Sequence, residues 1–126
     1  MASIESPPKT GSTSLRISNA VVHLMHEHTG RGPTKARTTV NDDLIVTVLQ
    51  DNLTRGERSL VRHGRSDVVL SVRKHHQDAM RDVLVAAVEE HSGRDVAAFM
   101  STNHIDPDYA VEVFVLAHNS KPSSDS

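Results

Sequence analysis

The spacing of apolar residues in the first half of the chain predicts one helix followed by a hairpin. Near-helical spacing indicates a helix over residues 12–29, which Gly30 ends. Two strands are predicted at 37–40 and 44–49, and the polar link Asn41–Asp43 suits the turn between them. Both faces of the second strand are largely apolar, which indicates a central strand covered on both sides or a dimer contact.

Two helices are predicted next. Thr54 and Glu57 have the spacing of a capping box, so a short helix is expected to begin there and to end at Gly64. A long helix is predicted over residues 67–91, because apolar residues recur there every third or fourth position. The predicted buried stripe consists of Val69, Val72, His76, Ala79 or Met80, Val83 and Ala87.

The end of the chain predicts a second hairpin, with strands at 95–101 and 109–117 and Pro107 in the turn. The order helix, hairpin, two helices, hairpin indicates an α+β fold. We expect a four-stranded antiparallel sheet made of the two β-hairpins, with the helices on one face. The last strand is apolar on both faces apart from Glu112, so the uncovered face is expected to pack in a homodimer.

Composition predicts one small domain over residues 14–118, with polar, disordered tails at 1–13 and 119–126. The chain lacks cysteine, which excludes disulfides, thiolate catalysis and cysteine–zinc sites. A net charge of −2 and 2% aromatic residues argue against a nucleic-acid partner. No apolar run approaches the ~20 residues that span a bilayer, so direct membrane insertion is not expected. We expect a cytoplasmic location instead.

The most distinctive segment is GRGPTKAR at residues 30–37, where two glycines and a proline shape a loop that carries three cations. Such a loop can present N–H groups and positive side chains to an anion, or it can be a helix stop followed by a solvated turn. The candidate binding residues in it are Arg31, Gly32, Pro33, Thr34, Lys35 and Arg37.

Arg58 and Arg62 are further candidates, because they share one face of the short helix with Arg55. If the helix and the loop converge, they form a site for a phosphate, a nucleotide or an acidic partner surface. The alternative is a solvated helix face whose arginines pair with Glu57, Asp51 or Asp67.

Histidines and carboxylates supply only weaker candidates. His104 and Asp106 lie in a turn where they suit acid–base chemistry or backbone hydrogen bonding, and we keep them as second-rank site residues. No paired nucleophile is evident, so no catalytic residue is predicted. The histidines near residue 26 lack a third ligand at metal-site spacing, so neither a metal nor a cofactor is predicted.

Five segments resemble the MpsC family, which is named for a sodium-translocating, membrane-potential-generating system of bacteria. The matching segments are GRGPTKART at 30–38, DNLT at 51–54 with Glu57 and Leu60, VEE at 88–90 followed by SGR at 92–94, NHIDPD at 103–108 and VEVFVL at 111–116. The resemblance implies a small bacterial cytosolic protein linked to an ion-translocating membrane system. It supplies no catalytic residues to carry over.

Together these features predict a non-enzymatic accessory or regulatory subunit of a bacterial ion-translocating system. We expect a homodimer in the cytoplasm, or at the periphery of the inner membrane through a membrane-protein partner. The GRGPTKAR loop would contact an acidic partner or a small anion. The alternative is a free-standing cytosolic sensor that binds a nucleotide or another phosphorylated metabolite.

Overall fold

The computed structural model describes residues 8–118, with side chains from residue 13 onward. The elements are α1 (Pro8–Thr29), β1 (Lys35–Asn41), β2 (Leu44–Gln50), α2 (Arg55–Arg62), α3 (Ser66–Ser92), β3 (Val96–His104) and β4 (Tyr109–Leu116). Their type and order confirm the predicted α+β fold. Helix α1 begins four residues before the predicted Ser12, at a proline, which the first turn of a helix tolerates. Of the tails predicted at 1–13 and 119–126, residues 8–13 belong to α1, and residues 1–7 and 119–126 lie outside the described residues.

The four strands form one antiparallel sheet in the order β1-β2-β4-β3, so the two hairpins meet through the central strands β2 and β4. Alternate residues of each strand point to opposite faces. The inner face packs against α1 and α3, and it carries Ile45, Leu49 and Phe114. The opposite face, here called the outer face, carries the residues between these positions.

The core lies between the inner face and the two long helices. Helix α1 contributes Ile17, Val21 and Met25, and α3 contributes Met80, Leu84 and Val88. Phe99 and Phe114 are cross-strand partners whose ring centroids lie 5.0 Å apart. With so few aromatic residues, aliphatic side chains supply most of the buried area, as the composition predicts.

The buried stripe of α3 differs from the predicted one. The buried residues are Val69, Gln77, Met80, Leu84 and Val88. Val72 and Val83 are 38% and 49% exposed instead. Two polar residues set this phase, because Arg73 pairs with Glu57 of α2 and Gln77 exchanges hydrogen bonds with Asn103 of β3. Val69 and Met80 are buried as predicted. Apolar periodicity placed the other positions wrongly, since Gln77, Leu84 and Val88 are buried in place of their neighbours His76, Val83 and Ala87.

A row of polar side chains crosses the inner face of the sheet. Thr38, Thr47, Glu112 and Ser101 are successive cross-strand partners. The Thr38 hydroxyl lies 2.9 Å from that of Thr47 and 2.7 Å from that of Ser18 on α1. The hydroxyl of Ser101 donates a hydrogen bond to the carboxyl of Glu112. The row therefore ties α1 to the middle of the sheet through hydrogen bonds.

Glu112 is fully buried in this row, and its Oε2 atom has no hydrogen-bond partner within residues 8–118. Burial raises the pKa of Glu112 to about 7, although the Ser101 hydrogen bond and the charge of Arg73 act in the opposite direction. The folded protein therefore favours the protonated form of this side chain.

We predict that Glu112 makes folding stability fall as the pH rises. A carboxyl whose pKa is higher in the folded state contributes fully below its ordinary pKa of 4.5, and this contribution is lost as the pH passes through about 7. In Glu112→Gln, a neutral isostere, this loss is absent. The free energy of unfolding, measured with denaturant, should rise by about 1–3 kcal/mol in the variant relative to the native protein between about pH 5 and about pH 8. A difference that stays constant with pH would contradict the assignment.

Candidate partner-binding site

The GRGPTKAR loop leaves α1 through two left-handed residues. Gly30 has φ 84° and its N–H donates to the His26 carbonyl at 2.8 Å, which ends the helix. Gly32 has φ 71°, and a Cβ there would lie 3.1 Å from backbone atoms of His26. The Thr29 hydroxyl accepts hydrogen bonds from the N–H groups of Arg31 and Gly32. These loop N–H groups therefore donate within the protein.

Asp51 gathers the arginines of the loop and of α2. Its Oδ2 atom lies 2.9 Å from a guanidinium nitrogen of Arg31 and accepts a hydrogen bond from the Thr34 hydroxyl at 3.1 Å. Its Oδ1 atom accepts a hydrogen bond from the guanidinium of Arg58. The two arginines predicted to surround an anion thus share a carboxylate of the chain itself. Of the alternatives left open by the sequence, pairing with Asp51 is the one found for Arg31 and Arg58.

The junction at Asp51 also includes the turn between β3 and β4. The Asp51 N–H donates to the Asp108 carbonyl at 3.2 Å, and the Asp108 carboxylate accepts from the Leu53 N–H at 2.8 Å. That carboxylate lies 3.8 Å from the guanidinium of Arg58. The loop, the end of β2, the start of α2 and the β3–β4 turn are therefore joined at one end of the sheet.

The hydrogen bond from Arg31 lowers the pKa of Asp51 below its ordinary value of 3.8. Desolvation acts against this shift, while Thr34 and the charges of Arg31 and Arg58 act with it. Asp51 therefore stays ionised at neutral pH and offsets the charge of the arginines around it.

A second ion pair fixes α2 on α3. Arg73 of α3 lies 2.8 Å from the carboxylate of Glu57, and their side chains are 11% and 10% exposed. Glu57 also accepts from the Thr54 N–H at 2.8 Å, while its own N–H donates to the Thr54 hydroxyl at 3.2 Å. The predicted capping box is confirmed, and its carboxylate holds Arg73 as well.

A groove of about 270 Å³ lies between α2 and the β3–β4 turn, and we call it the α2 groove. Its lining residues are Leu53, Arg58, Val61, Arg62, Ile105, Asp106 and Asp108. It brings three of the predicted site residues together, two from α2 and one from the turn. Leu53, Val61 and Ile105 supply apolar surface, and Arg62 is exposed.

The other predicted site residues lie elsewhere. Arg31, Pro33 and Thr34 line a second groove, of about 560 Å³, along α1. Lys35 and Arg37 are exposed residues of β1 on the outer face of the sheet. Gly32 is buried in the loop.

His104 is exposed, and its Nδ1 atom lies 2.8 Å from the carbonyl of Pro107 within the same turn. Asp106 precedes Pro107 through a cis peptide bond and reaches the α2 groove. Of the two second-rank residues, only Asp106 therefore joins the arginines of α2.

Two histidines of α1, His23 and His28, each contact one other side chain. His23 lies 3.5 Å from the carboxylate of Glu27, and His28 lies 2.9 Å from His76 of α3. Burial, followed by the charge of His28, lowers the pKa of His76. Between residues 8 and 118, no three His, Cys, Asp or Glu side chains are grouped so that they could hold a metal ion.

Comparison with known proteins identifies the family. A family model described as "MpsC: Na+-translocating membrane potential-generating system (MpsC)" matches residues 9–118. The chain belongs to the MpsC family. No curated protein and no solved structure gives a significant match. Within the part of this MpsC protein that the structure describes, no helix has both the length and the apolar character to cross a bilayer.

Two residues that organise the site in this MpsC protein were missed or left undecided by sequence reasoning. Arg73 was not considered, although it stands four residues after Val69 and four before Gln77, on the true buried stripe. Asp51 was only one of three possible partners for the arginines. Its φ of 60° places it in the left-handed region, which Asp visits more readily than most residues. A lone charged residue in phase with a buried stripe is the signal that would have found Arg73.

We predict that Arg73→Ala destabilises the protein by about 3 kcal/mol, because it leaves the carboxylate of Glu57 buried without its cation. Lys74→Ala is the matched control, since Lys74 is exposed and forms an ion pair with the exposed Asp78 at 3.7 Å. That change should stay within about 0.5 kcal/mol. Urea unfolding of both variants measures the difference, and equal losses would refute a structural role for the Arg73–Glu57 pair.

Proposed function

We propose that this protein is a non-enzymatic accessory or regulatory subunit of a Na+-translocating, membrane-potential-generating system. In this proposal it acts at the cytoplasmic side of the inner membrane and binds an acidic segment of a membrane subunit. The observation that carries the proposal is the family match, which spans residues 9–118. The geometry of the α2 groove indicates which kind of peptide segment it can bind.

The α2 groove combines an apolar surface with arginines at its edge. Leu53, Val61 and Ile105 can bury apolar side chains of a peptide, while Arg62 offers a guanidinium for a carboxylate. Recognition of this kind selects a short segment with both apolar and acidic residues. Asp106 and Asp108 line the same groove and would disfavour a segment that carries acidic residues along its whole length.

The junction at Asp51 supports a preformed site. Arg58 is held by Asp51, and Asp51 is held in turn by Arg31 and Thr34. The wall of the groove that Arg58 forms is thus fixed before a partner arrives, which lowers the entropy lost on binding. In this proposal the GRGPTKAR loop acts indirectly, because its Arg31 and Thr34 hold Asp51 and Asp51 holds Arg58.

A macromolecular partner fits these contacts better than a small anion. The guanidiniums of Arg31 and Arg58 already bind a carboxylate, and the N–H groups of Arg31 and Gly32 bind Thr29. A phosphate in the loop would have to displace these internal acceptors. We therefore favour the accessory subunit over the nucleotide sensor.

The proposal is tested by affinity purification of the tagged protein with detergent-solubilised membranes of its own organism. We expect it to recover membrane subunits of the Na+-translocating system. Arg62→Glu should reduce recovery about tenfold or more, equivalent to about 1.4 kcal/mol of binding free energy. Arg65→Glu is the matched control, since Arg65 is exposed, lies outside the α2 groove and pairs with Asp67. Equal recovery with both variants, or no recovery with the native protein, would refute the proposal.

A thermal-shift assay with ATP and with inorganic phosphate separates the rival function. A ligand at 100 times its dissociation constant adds about 2.7 kcal/mol of stability. We expect neither compound to shift the unfolding temperature. A shift that Arg31→Ala abolishes would favour the sensor instead.

A further inference from the structure

The outer face of the sheet is apolar at its centre, and helices α1 and α3 pack on the other face. Its apolar positions are Val46, Val48, Val111, Val113 and Val115 on the two central strands and Met100 on the edge strand β3. Met100 pairs with Val113 and is 53% exposed. Along β4 the inner set includes the charged Glu112, while the outer set contains no charged residue. The more apolar side of this strand therefore points away from the helices.

The size of this face is that of an interaction surface. Four strands spaced by about 4.8 Å, each about seven residues long, give a face of about 19 Å by 23 Å. Apolar patches of a few hundred Å² on soluble proteins mark binding sites. A face that is aliphatic and free of charge at its centre is suited to packing against another sheet at a spacing of about 10 Å.

Charges lie at opposite ends of the edge strand β1. Lys35 and Arg37 are exposed at its beginning and point to the outer face. Asp42 and Asp43 form the turn that follows its end. The strand therefore carries positive charge at one end of the face and negative charge at the other, about 20 Å away.

We propose that the outer face is the interface of a homodimer, in which the two sheets pack about a two-fold axis that lies across the strands. This axis places β1 of one protomer over β1 of its partner in the opposite direction. Lys35 and Arg37 then meet the acidic turn of the partner, and the same contact occurs twice by symmetry. The apolar centres of the two faces bury one another.

The other axis that allows face-to-face packing runs along the strands, and it does not bring Lys35 to the acidic turn at Asp42 and Asp43. It brings equivalent ends of the two faces together, so that β1 lies over β3 of the partner. Lys35 and Arg37 would then lie over the end of β3 that carries His104, and the acidic turns would face no cation of β1. The turn that follows His104 carries the exposed Asp106, so this axis would bring that carboxylate, rather than Asp42 or Asp43, near Lys35 and Arg37.

The mass of the full-length protein in solution tests the dimer. Light scattering across a dilution series should give twice 13.8 kDa for the native protein. Val113→Lys, at the centre of the face, should give a folded monomer. Val83→Lys is the matched control, because Val83 is an exposed valine of α3, and this variant should remain dimeric. Met100→Lys replaces Val113→Lys if circular dichroism shows that the latter is unfolded. A monomeric native protein, or a dimer that persists in a folded central variant, would overturn the proposal.

A charge exchange tests the direction of packing. Lys35→Glu and Asp43→Lys should each weaken dimerisation, roughly three- to tenfold, since each affects two symmetry-related contacts. The double variant restores opposite charges across the interface and should return to within about twofold of the native dissociation constant. Sedimentation equilibrium at low salt measures all four proteins. If the double variant loses as much dimerisation free energy as the two single variants together, the arrangement is overturned.

Discussion

The carboxylate of Asp51 is held between two guanidiniums, and the arrangement of one whole end of the molecule depends on this contact. Strand β2 stops at Gln50, and the next residue turns into the left-handed region with its N–H bonded to the β3–β4 turn. Its side chain then reaches Arg31 from the loop and Arg58 from α2. Segments that are distant in the chain are thereby set in one position. A chain with several cations and few internal carboxylates at this end would instead present a repulsive cluster.

This contact divides the cationic loop into parts with different tasks. Arg31 faces inward and holds the junction, whereas Lys35 and Arg37 follow the alternation of β1 onto the outer face. In our proposals the first part supports the α2 groove and the second part meets a second copy of the chain. The two proposed surfaces use different residues, so a protomer can take part in both contacts at once.

The elements were predictable because their signals are local. Short apolar runs separated by polar turns located the strands, and the capping box of Thr54 and Glu57 located the start of α2. The phase of α3 was not predictable from apolar spacing, because Arg73 and Gln77 are held on the buried side by partners distant in the sequence. The same limit applies to Glu112. It stands in the less apolar set of β4, yet the structure buries that set, because Ala110, Phe114 and Leu116 of the same set pack in the core. The Ser101 hydroxyl of the neighbouring strand donates a hydrogen bond to Glu112.

The candidate site was also predictable only where its signals are local. The predicted site combines residues of the loop with arginines of α2, and the structure joins only part of that set. Arg58, Arg62 and Asp106 line one groove, while Lys35 and Arg37 lie on the outer face of the sheet. Cations that form ion pairs within the protein are less able to bind a partner. Which cations form such pairs depends on the fold, because the fold brings opposite charges together.

The most direct test of this account is a pH titration of the Asp51 carboxyl carbon by NMR, in the native protein and in Arg31→Ala. The account predicts that the pKa of Asp51 lies below 3.8 in the native protein and rises when Arg31 is removed. A pKa at or above 3.8 that Arg31→Ala leaves unchanged would contradict it, because the two guanidiniums would then not be bound to this carboxylate.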